Sequence, residues 1–484
     1  MKPRQVLGFL ASFFLFASLS WKPCFAISIP DEKELGKKFM EQVNKSRMLL
    51  HDPIATHMLN EVGRRLLSLL PPQPFDYSFY VVDDDVFNAF ASPGANIFAY
   101  RGLITSLDSI DELAGIIGHE IAHAASRHVS ESIDRSKYIS IGSLAGMLAG
   151  ILVGTQSDGH AAGTIIKGSL AAGQTAMLAF TRENETEADE KGIMFLKESC
   201  FSPEGLLSGL MKIKASDYRG VENIPDYVKT HPGTTSRIAH VETILAGYTP
   251  PGSKPSCKED FRFDMVKYRL MGLYGEIEPA FAELTRSLEK DPGNAALHYG
   301  LGLLYERKFR KDEALSHLKK ALSINVFDPM ILLELGRIYQ ENGEAQKALE
   351  VLAAVEPEPV LGVMARFHQA SAYLDLKDMD RAETLFNSVV EEAAPAYPTA
   401  YYNLANIMSV RKKPDLSHYY LGLFYFETGN IKTAMTHLTK ALETLSDTDK
   451  FNHAKELLMK LEKEDQEERA EKERKERNSR KNRS

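Results

Sequence analysis

The sequence lacks an excess of basic residues, is poor in cysteine and, beyond its first residues, has no clear membrane-spanning run. Its 58 Lys and Arg are outnumbered by 66 Asp and Glu, which gives a net charge of -8. Because a surface that binds phosphates carries a clear basic excess, we set aside nucleic acid as a partner. The composition, 44% hydrophobic and 26% charged, is typical of a globular chain, and 484 residues allow two or more domains.

Residues 1–26 have the three parts of a secretory signal: a basic start, an apolar run over 6–19 and small residues up to Ala26. We predict cleavage after Ala26, because the apolar run is shorter than the about 20 residues that span a bilayer. An uncleaved anchor is the alternative. Pro23 precedes Cys24, where a lipoprotein signal has a small residue, so lipidation is not expected.

Two of the three cysteines, Cys200 and Cys257, remain after cleavage. Export permits a disulfide between them, and the closed loop would be long enough to matter for stability. Two free, buried thiols fit the sequence almost as well, so both states stay open.

Differences in composition and periodicity along the chain predict its domains. We expect a mainly helical α+β domain over 27–250, a Pro- and Gly-rich linker over 251–263 and an all-α domain over 264–460. Residues 461–484 are almost all Glu, Lys and Arg, which predicts a solvated helix end that fades into disorder.

Within the first domain, two runs and one apolar stretch stand out. Runs 79–82 and 97–100 are rich in β-branched and aromatic residues, which predicts two strands of a small sheet. The Gly- and Ala-rich stretch 138–180 is interrupted near its middle, so each half is near or below spanning length. It is either a buried helical hairpin or a lid that makes peripheral contact with a membrane.

Beyond the linker the sequence repeats with a period of 34 residues. Leu301, Gly302, Tyr305 and Ala314 return as Leu335, Gly336, Tyr339 and Ala348, and a later copy includes Leu421, Gly422, Tyr425 and Ala434. Small residues at this period resemble the tetratricopeptide repeat, in which paired helices cross closely. We predict a superhelix whose concave face binds proteins or peptides, with an extra helix near 401–408.

The strongest chemical signal is the pentapeptide from His119 to His123. Residues four apart share one face of a helix, so both histidines can bind one cation. Glu120 falls on a neighbouring face, where it can serve as a general base without binding the metal. The pentapeptide also arises by chance, so a third ligand is needed to support a metal site.

The residues after the pentapeptide exclude the metzincin class of zinc peptidases. That class needs Gly and His at the positions of Ser126 and Val129. His128 is one residue out of this register, and we predict that it lies on a helix surface.

A second helix is expected to supply the third ligand, with a carboxylate one turn later that orients a ligand histidine. Glu185 and Asp189 are four residues apart and share a face. Glu183 and Glu187 are the alternatives, but Glu187 projects about 160° away from Glu185, which is typical of a solvated residue. We predict one Zn2+ ion per chain, bound by Glu185 and the two histidines.

These motifs resemble those of the gluzincin family that contains HtpX-type and CAAX prenyl peptidases. Residues 111–123 look like its active-site helix, and 182–189 look like its second motif, whose Glu binds zinc. The resemblance covers about residues 31–245. It implies a gluzincin-type metallopeptidase domain with catalytic roles for Glu120 and Asp189.

His231 and Arg237 resemble a further family feature, in which a histidine near the zinc serves as a fourth ligand and holds the enzyme closed. Alternatively, either side chain hydrogen-bonds the oxyanion, or His231 is an ordinary loop residue. We keep both among the predicted site residues. An extended substrate is expected to pair with the strand around 97–99, since backbone pairing demands no particular sequence.

The export signal, the peptidase domain and the repeats together resemble periplasmic zinc peptidases that work with the outer-membrane barrel-assembly machinery. The resemblance implies a periplasmic endopeptidase for unfolded or misassembled envelope proteins, with chaperone-like client binding through the repeats. One rival is a chaperone or adaptor scaffold with a latent metal site. A membrane-embedded prenyl-type peptidase is disfavoured, because no clear spanning helix follows Ala26.

Overall fold

The computed structural model describes residues 27–135, 180–217, 227, 230–249, 256–257, 261–355 and 359–481. The chain forms two compact units, one made of residues 1–50 and 58–261 and the other of residues 51–57 and 262–484. The predicted signal segment and residues 138–179 lie outside the described residues. None of the described helices combines the length and the apolar character that crossing a membrane requires.

A three-stranded sheet confirms the two predicted strands and adds a third. Its strands are β1 (Ser78–Val82), β2 (Ala89–Ser92) and β3 (Asn96–Tyr100), in the order β1-β3-β2. β3 runs parallel to β1 and antiparallel to β2, and all five of its residues are buried. The expectation that a substrate pairs with residues 97–99 is therefore wrong, because both edges of β3 are already occupied.

Eight helices of the first unit are described together with that sheet. They are α1 (Ile29–Ser46), α2 (Pro53–Leu67, of which residues 58–67 belong to this unit), α3 (Arg101–Ser106), α4 (Ile110–Ala125), α5 (His128–Arg135), α6 (Arg182–Glu198), α7 (Glu204–Asp217) and α8 (Thr234–Ala246). α4 is the central helix, since every residue except Ala125 is buried. It begins at Ser109, whose side chain accepts a hydrogen bond from Glu112 N, and two acidic residues in the first turn favour the helix dipole.

Glycines let the helices that carry the predicted ligands approach closely. A Cβ at Gly192 of α6 would lie 3.2 Å from His119 N of α4, and one at Gly115 of α4 would lie 2.5 Å from Leu206 N of α7. The second distance is too short for any side chain. α4 is thus packed backbone to backbone against both neighbours, which fixes the predicted ligands relative to each other.

Cys200 and Cys257, for which the sequence left two states open, form a disulfide with 5.5 Å between their Cα atoms. The bond ties the end of α6 to a residue 57 positions later in the chain. In the chain-entropy description, closing a loop of this length stabilises the folded state by about 4 kcal/mol.

The described part of the second unit consists of helices joined by short connections, which confirms the predicted repeats and the extra helix near 401–408. The helices are α9 (Phe263–Tyr274), α10 (Ile277–Lys290), α11 (Ala295–Arg307), α12 (Lys311–Ile324), α13 (Pro329–Glu341), α14 (Ala345–Leu352), α15 (Pro359–Asp375), α16 (Met379–Ala393), α17 (Pro398–Val410), α18 (Pro414–Glu427), α19 (Ile431–Leu442) and α20 (Thr448–Lys481).

The small residues of the repeat mark helix crossings. A Cβ on Gly302 would lie 2.7 Å from Leu318, and one on Gly422 would lie 2.7 Å from Leu438. Each glycine therefore receives a leucine from the following helix of its pair. This contact explains physically why glycine returns at the same repeat position.

Residues 51–57 belong to the second unit through a buried ionic network. Arg269 donates to Asp52 Oδ2 at 2.9 Å through Nε, and to Glu334 Oε1 at 2.5 Å and Tyr299 Oη at 3.0 Å through Nη1. All four side chains are buried, so removing one partner would leave an uncompensated buried charge.

The charged segment after Leu461 is helical, because α20 continues through Lys481, which agrees with the helix end that the sequence predicts; the disorder expected beyond it stays a prediction. Glu, Lys and Arg are strong helix formers, and pairs four residues apart add to helix stability, as Asp465 and Arg469 do at 2.7 Å.

Gly192→Val tests the close crossing of α4 and α6. Its γ-methyl groups would reach further than the Cβ position 3.2 Å from His119 N, and overpacking of this kind costs about 1–3 kcal/mol. We expect a lower free energy of unfolding in denaturant titrations. Gly247→Val is the control, since a Cβ there meets nothing within 4 Å. Equal stability of the two variants would contradict the close-crossing account.

Candidate metal centre

Two helices place the predicted ligands of the first unit. α4 carries His119, Glu120 and His123, which lie within about one turn of its buried part. The start of α6 is fixed by a capping box, in which the Thr181 side chain and the Asn184 side chain each accept the other residue's backbone N–H. This start places the next residue, Glu185, in the first turn of α6, and Asp189 follows one turn later.

A third segment contributes His231 and Arg237. His231 precedes α8, and its backbone N–H donates to Tyr227 O at 2.8 Å. Arg237 lies in the first turns of α8. Both side chains point into the cluster formed by α4 and α6, as the contacts below show.

Four side chains converge so that one cation could touch all of them. His119, His123, Glu185 and His231 each offer one ligand atom, and these atoms lie within 4.8 Å of one another. The Nε2 atoms of His119 and His123 are 3.0 Å apart, and each lies 3.4 Å from an oxygen of Glu185. His231 Nδ1 lies 3.1 Å from Glu185 Oε1. All four residues are fully buried.

Asp189 takes the orienting position that the sequence predicted. His119 Nδ1 lies 2.9 Å from Asp189 Oδ1, which leaves His119 Nε2 directed at the cluster. A carboxylate on the far nitrogen of a ligand histidine fixes the ring and its tautomer. Asp189 is held in turn by two hydrogen bonds from Arg237, at 2.8 Å from Nε and 2.7 Å from Nη2.

Arg237 also compensates the third predicted ligand. Its Nη1 lies 2.7 Å from Glu185 Oε2, so one buried guanidinium serves two buried carboxylates. Burial alone would raise the pKa of the Glu185 carboxyl, but the charges of His231 and Arg237 outweigh it and hold that pKa well below its usual range. The pKa of Asp189 is lowered because Arg237 likewise outweighs the effect of burial.

The two histidines of α4 differ in proton affinity when no cation is bound. Burial and the Arg237 charge disfavour the imidazolium of His119, yet the hydrogen bonds to Asp189 and Glu185 raise its pKa to about 9. Burial and the neighbouring His119 lower the pKa of His123 well below its usual range. The proton on His119 thus supplies positive charge at the place where a metal ion would supply it, and metal binding would release that proton.

Glu120 is the least satisfied group of the cluster. Both of its carboxylate oxygens are buried and have no hydrogen-bond partner among the described residues, and His231 Nε2 is in the same state 3.5 Å away. Counted over the described residues, three buried carboxyl groups, of Glu120, Glu185 and Asp189, face one guanidinium, that of Arg237. The carboxyl groups outnumber the guanidinium by two. This excess, together with the nitrogen and oxygen ligand atoms, fits a divalent cation such as zinc.

The prediction that His128 lies on a helix surface is wrong. His128 is buried, and its Nδ1 lies 2.9 Å from Nδ1 of His123. The cause is a break in the helix, since α4 ends at Ala125 and Arg127 adopts the left-handed conformation with φ 58°. The chain therefore turns back and brings His128 onto the helix that it has just left.

The competing acids of α6 lie outside the cluster. Glu183 and Glu187 are exposed, as the helical projection predicted for Glu187. Glu187 nevertheless has partners, because it lies 3.3 Å from His128 Nε2 and 2.7 Å from Lys191 Nζ.

Two aromatic residues of the centre were missed by sequence reasoning. Phe180 stacks on His123 with 4.0 Å between ring centroids, and Tyr227 stacks on His231 at 4.3 Å. Phe180 immediately precedes the N-cap of α6, which is the one signal in the sequence that links it to the centre. Tyr227 carries no such signal.

Comparison with known proteins agrees with this geometry. The profile of peptidase family M48 matches residues 54–245, and a tetratricopeptide-repeat profile matches residues 276–329 and 333–406. The chain is 29% identical over 380 residues to a beta-barrel assembly-enhancing protease of Yersinia pestis, covering 76% of each chain. It is 27% identical over 368 residues to the protein of the same name in Escherichia coli (strain K12), covering 67% of this chain and 73% of that one.

A more distant relative shares part of the chain. The mitochondrial metalloendopeptidase OMA1 of Schizosaccharomyces pombe is 25% identical over 222 residues, which cover 45% of this chain and 62% of that one. These matches, together with the buried group of three histidines and a glutamate, show a metallopeptidase domain that is followed by repeats.

Arg237→Met tests the electrostatic role of Arg237. The change leaves Glu185 and Asp189 without their buried counter-charge, which costs about 3–5 kcal/mol of folding free energy. We expect the loss to be largest in protein treated with a chelator and smaller with zinc, because a cation compensates Glu185. Thermal unfolding with and without zinc measures this, with Arg237→Lys as the charge-conserving control. Unchanged stability of Arg237→Met in chelator would contradict the assignment.

Proposed function

The chain carries a peptidase family M48 domain followed by tetratricopeptide repeats, and from this premise we propose that it is a zinc-dependent endopeptidase of the bacterial periplasm. Its proposed role is quality control and assembly of outer-membrane proteins. The observation that carries the chemical part is the buried cluster of His119, His123 and Glu185 beside the carboxylate of Glu120, which has no hydrogen-bond partner in the described part of the chain.

His119, His123 and Glu185 would hold one zinc ion through two nitrogens and one oxygen. Zinc bound there supplies Lewis acidity, which polarises a peptide carbonyl and lowers the pKa of water. Asp189 keeps Nε2 of His119 directed at the ion by accepting a hydrogen bond from Nδ1, and Arg237 holds Asp189 in place. The ligand geometry thus rests on contacts that all lie within the buried cluster.

Glu120 is proposed as the general base and acid. As water attacks the peptide carbonyl, a C–O bond forms and Glu120 takes the proton that the water loses. When the C–N bond breaks, Glu120 passes that proton to the leaving amine. The absence of a hydrogen-bond partner among the described residues supports this role, since both of its oxygens are free to receive the proton.

His231 is proposed as a fourth ligand that keeps the site closed. Its Nδ1 lies close to Glu185, and its Nε2, which no described residue hydrogen-bonds, lies 3.5 Å from Glu120 Oε1. Glu120 and all four ligand candidates are fully buried, so a peptide bond reaches them only after the segment that carries His231 moves. Tyr227, stacked on the His231 ring, would move with it.

An extended polypeptide is the proposed substrate, and β2 is the strand that would receive it. Among the described residues β2 pairs with β3 alone, which leaves its other edge open, and it packs against α4, the helix that carries Glu120. Pairing through the backbone suits unfolded proteins, because it requires no particular side chains.

The repeats and the relatives support the biological part of the proposal. Stacked helix pairs provide a concave surface for protein segments, which suits chaperone-like binding of misassembled envelope proteins. The first two relatives reported above are named for barrel assembly, which supports the outer-membrane barrel-assembly machinery as a partner. The apolar run at the start of the sequence supports export to the periplasm, with cleavage near Ala26. The alternative is mainly a scaffold with a latent metal site.

Glu120→Gln separates zinc binding from proteolysis. The variant keeps the ligands, so we expect zinc content equal to that of the unaltered protein and a loss of about 10²- to 10⁴-fold in the rate of cleavage of an unfolded substrate. Glu183→Gln, an exposed acid on α6, is the matched control and should cleave normally.

Undiminished cleavage by Glu120→Gln would overturn the proposed chemistry. The same variant also discriminates the scaffold alternative in cells that lack their own such protease. We expect it to leave outer-membrane protein assembly defective, whereas full rescue would favour the scaffold.

A further inference from the structure

The two ligand histidines of α4 differ in what holds their second ring nitrogen. Nδ1 of His119 meets the carboxylate of Asp189 directly. Nδ1 of His123 meets no carboxylate of the described residues and instead lies 2.9 Å from Nδ1 of His128. Beside His123, the buried imidazole of His128 therefore takes the position that the carboxylate of Asp189 takes beside His119.

The contacts of His128 continue to the protein surface. Its Nε2 lies 3.3 Å from Glu187 Oε2. The other oxygen of Glu187 accepts hydrogen bonds from Lys191 Nζ at 2.7 Å and Ser126 Oγ at 3.2 Å. The side chain of His128 is 3% exposed and that of Glu187 is 48% exposed, so the chain of contacts runs from the buried centre outwards.

One arrangement of protons satisfies every contact when His123 binds a cation. A metal ligand needs the lone pair of His123 Nε2, so its single proton resides on Nδ1 and is donated to His128. His128 Nδ1 is then the acceptor, and its own proton resides on Nε2 and is donated to Glu187. Both imidazoles are neutral in this arrangement, and the carboxylate at the end sets both tautomers.

We propose that His128 and Glu187 form a positioning relay for His123, which rests on the proposed role of His123 as a zinc ligand. His128 fixes the tautomer and the ring orientation of His123, and Glu187 fixes those of His128. Neither residue touches the ion or the substrate. The relay lengthens by one imidazole the carboxylate–histidine pair that holds His119.

The backbone around His128 supports a built arrangement. Arg127 holds the left-handed conformation, which disfavours residues with a side chain, and this turn is what brings His128 to His123. Arg127 is anchored by Glu32 at 2.7 Å. On its other side the His123 ring stacks on Phe180, so the ring is held from two directions.

The experiment measures zinc affinity by chelator competition at one fixed pH for the full chain. Partners of this kind contribute about 10- to 100-fold to metal affinity, so we expect His128→Phe to weaken zinc binding by that factor. Glu187→Gln should weaken it less, and His128→Gln should restore part of it, because the amide oxygen can accept the proton of His123 Nδ1. Nitrogen NMR should show the zinc-bound His123 protonated at Nδ1 in the unaltered protein.

A second histidine–carboxylate pair of the same unit provides the control. His240 of α8 lies 3.0 Å from Glu190 of α6, and both side chains are partly exposed, unlike the fully buried predicted ligands. His240→Phe and Glu190→Gln should bind zinc as the unaltered protein does. Loss of affinity in these variants equal to that in His128→Phe would show a general effect on stability and overturn the relay.

The remaining outcomes distinguish the relay from the proposed function. If the unaltered protein does not bind zinc, the proposed function fails and the relay fails with it. If it binds zinc and both His128→Phe and Glu187→Gln match it, the relay alone is overturned. If His128→Phe does not fold, Glu187→Gln decides, because Glu187 is half-exposed. Unchanged zinc affinity of Glu187→Gln, together with a zinc-bound His123 that is unprotonated at Nδ1 in the unaltered protein, contradicts the relay.

Discussion

The centre of the first unit depends on the balance of buried charge. Glu120, Glu185 and Asp189 are removed from water together, and within the described part of the chain Arg237 is the one guanidinium that pairs with them. Buried carboxylates are tolerated only when they are paired, protonated or bound to a metal. A divalent cation between the histidines and Glu185 would complete the balance. Folding and metal binding are therefore expected to be coupled.

This balance is possible because two helices approach at glycine. Gly118 and Gly192 face each other where α4 crosses α6, so the candidate ligand atoms of both helices lie within a few ångströms of one another. The capping box of Thr181 and Asn184 sets the start of α6 and thereby the direction of Glu185. Local sequence signals thus control a site whose parts are more than sixty residues apart along the chain.

Helical periodicity predicted those residues of the centre that lie on regular helices. The spacing of His119 and His123, and that of Glu185 and Asp189, place each pair on one face, and the structure brings all four side chains together. His128 escaped prediction because a left-handed residue ends the helix before it, and no periodic rule covers such a break.

The sheet and the repeats show the same division between local and distant contacts. Composition identified residues 97–100 as a strand, but its central place in the sheet depends on β2 and β1, which pair with it across the chain. The repeats were predictable because each glycine and its leucine belong to neighbouring helices, so their spacing is constant. The one chain thus joins a candidate metal centre built from distant segments to a repeat unit built from local contacts.

The most direct measurement is the zinc coordination shell of the purified protein, by a crystal structure with zinc anomalous scattering. The account predicts one ion held by His119 Nε2, His123 Nε2, a Glu185 oxygen and, in the closed site, a His231 nitrogen, at about 2.0–2.2 Å. Glu120 would lie near the ion without binding it. Zinc bound without Glu185, or with Glu120 as a ligand, would contradict the account.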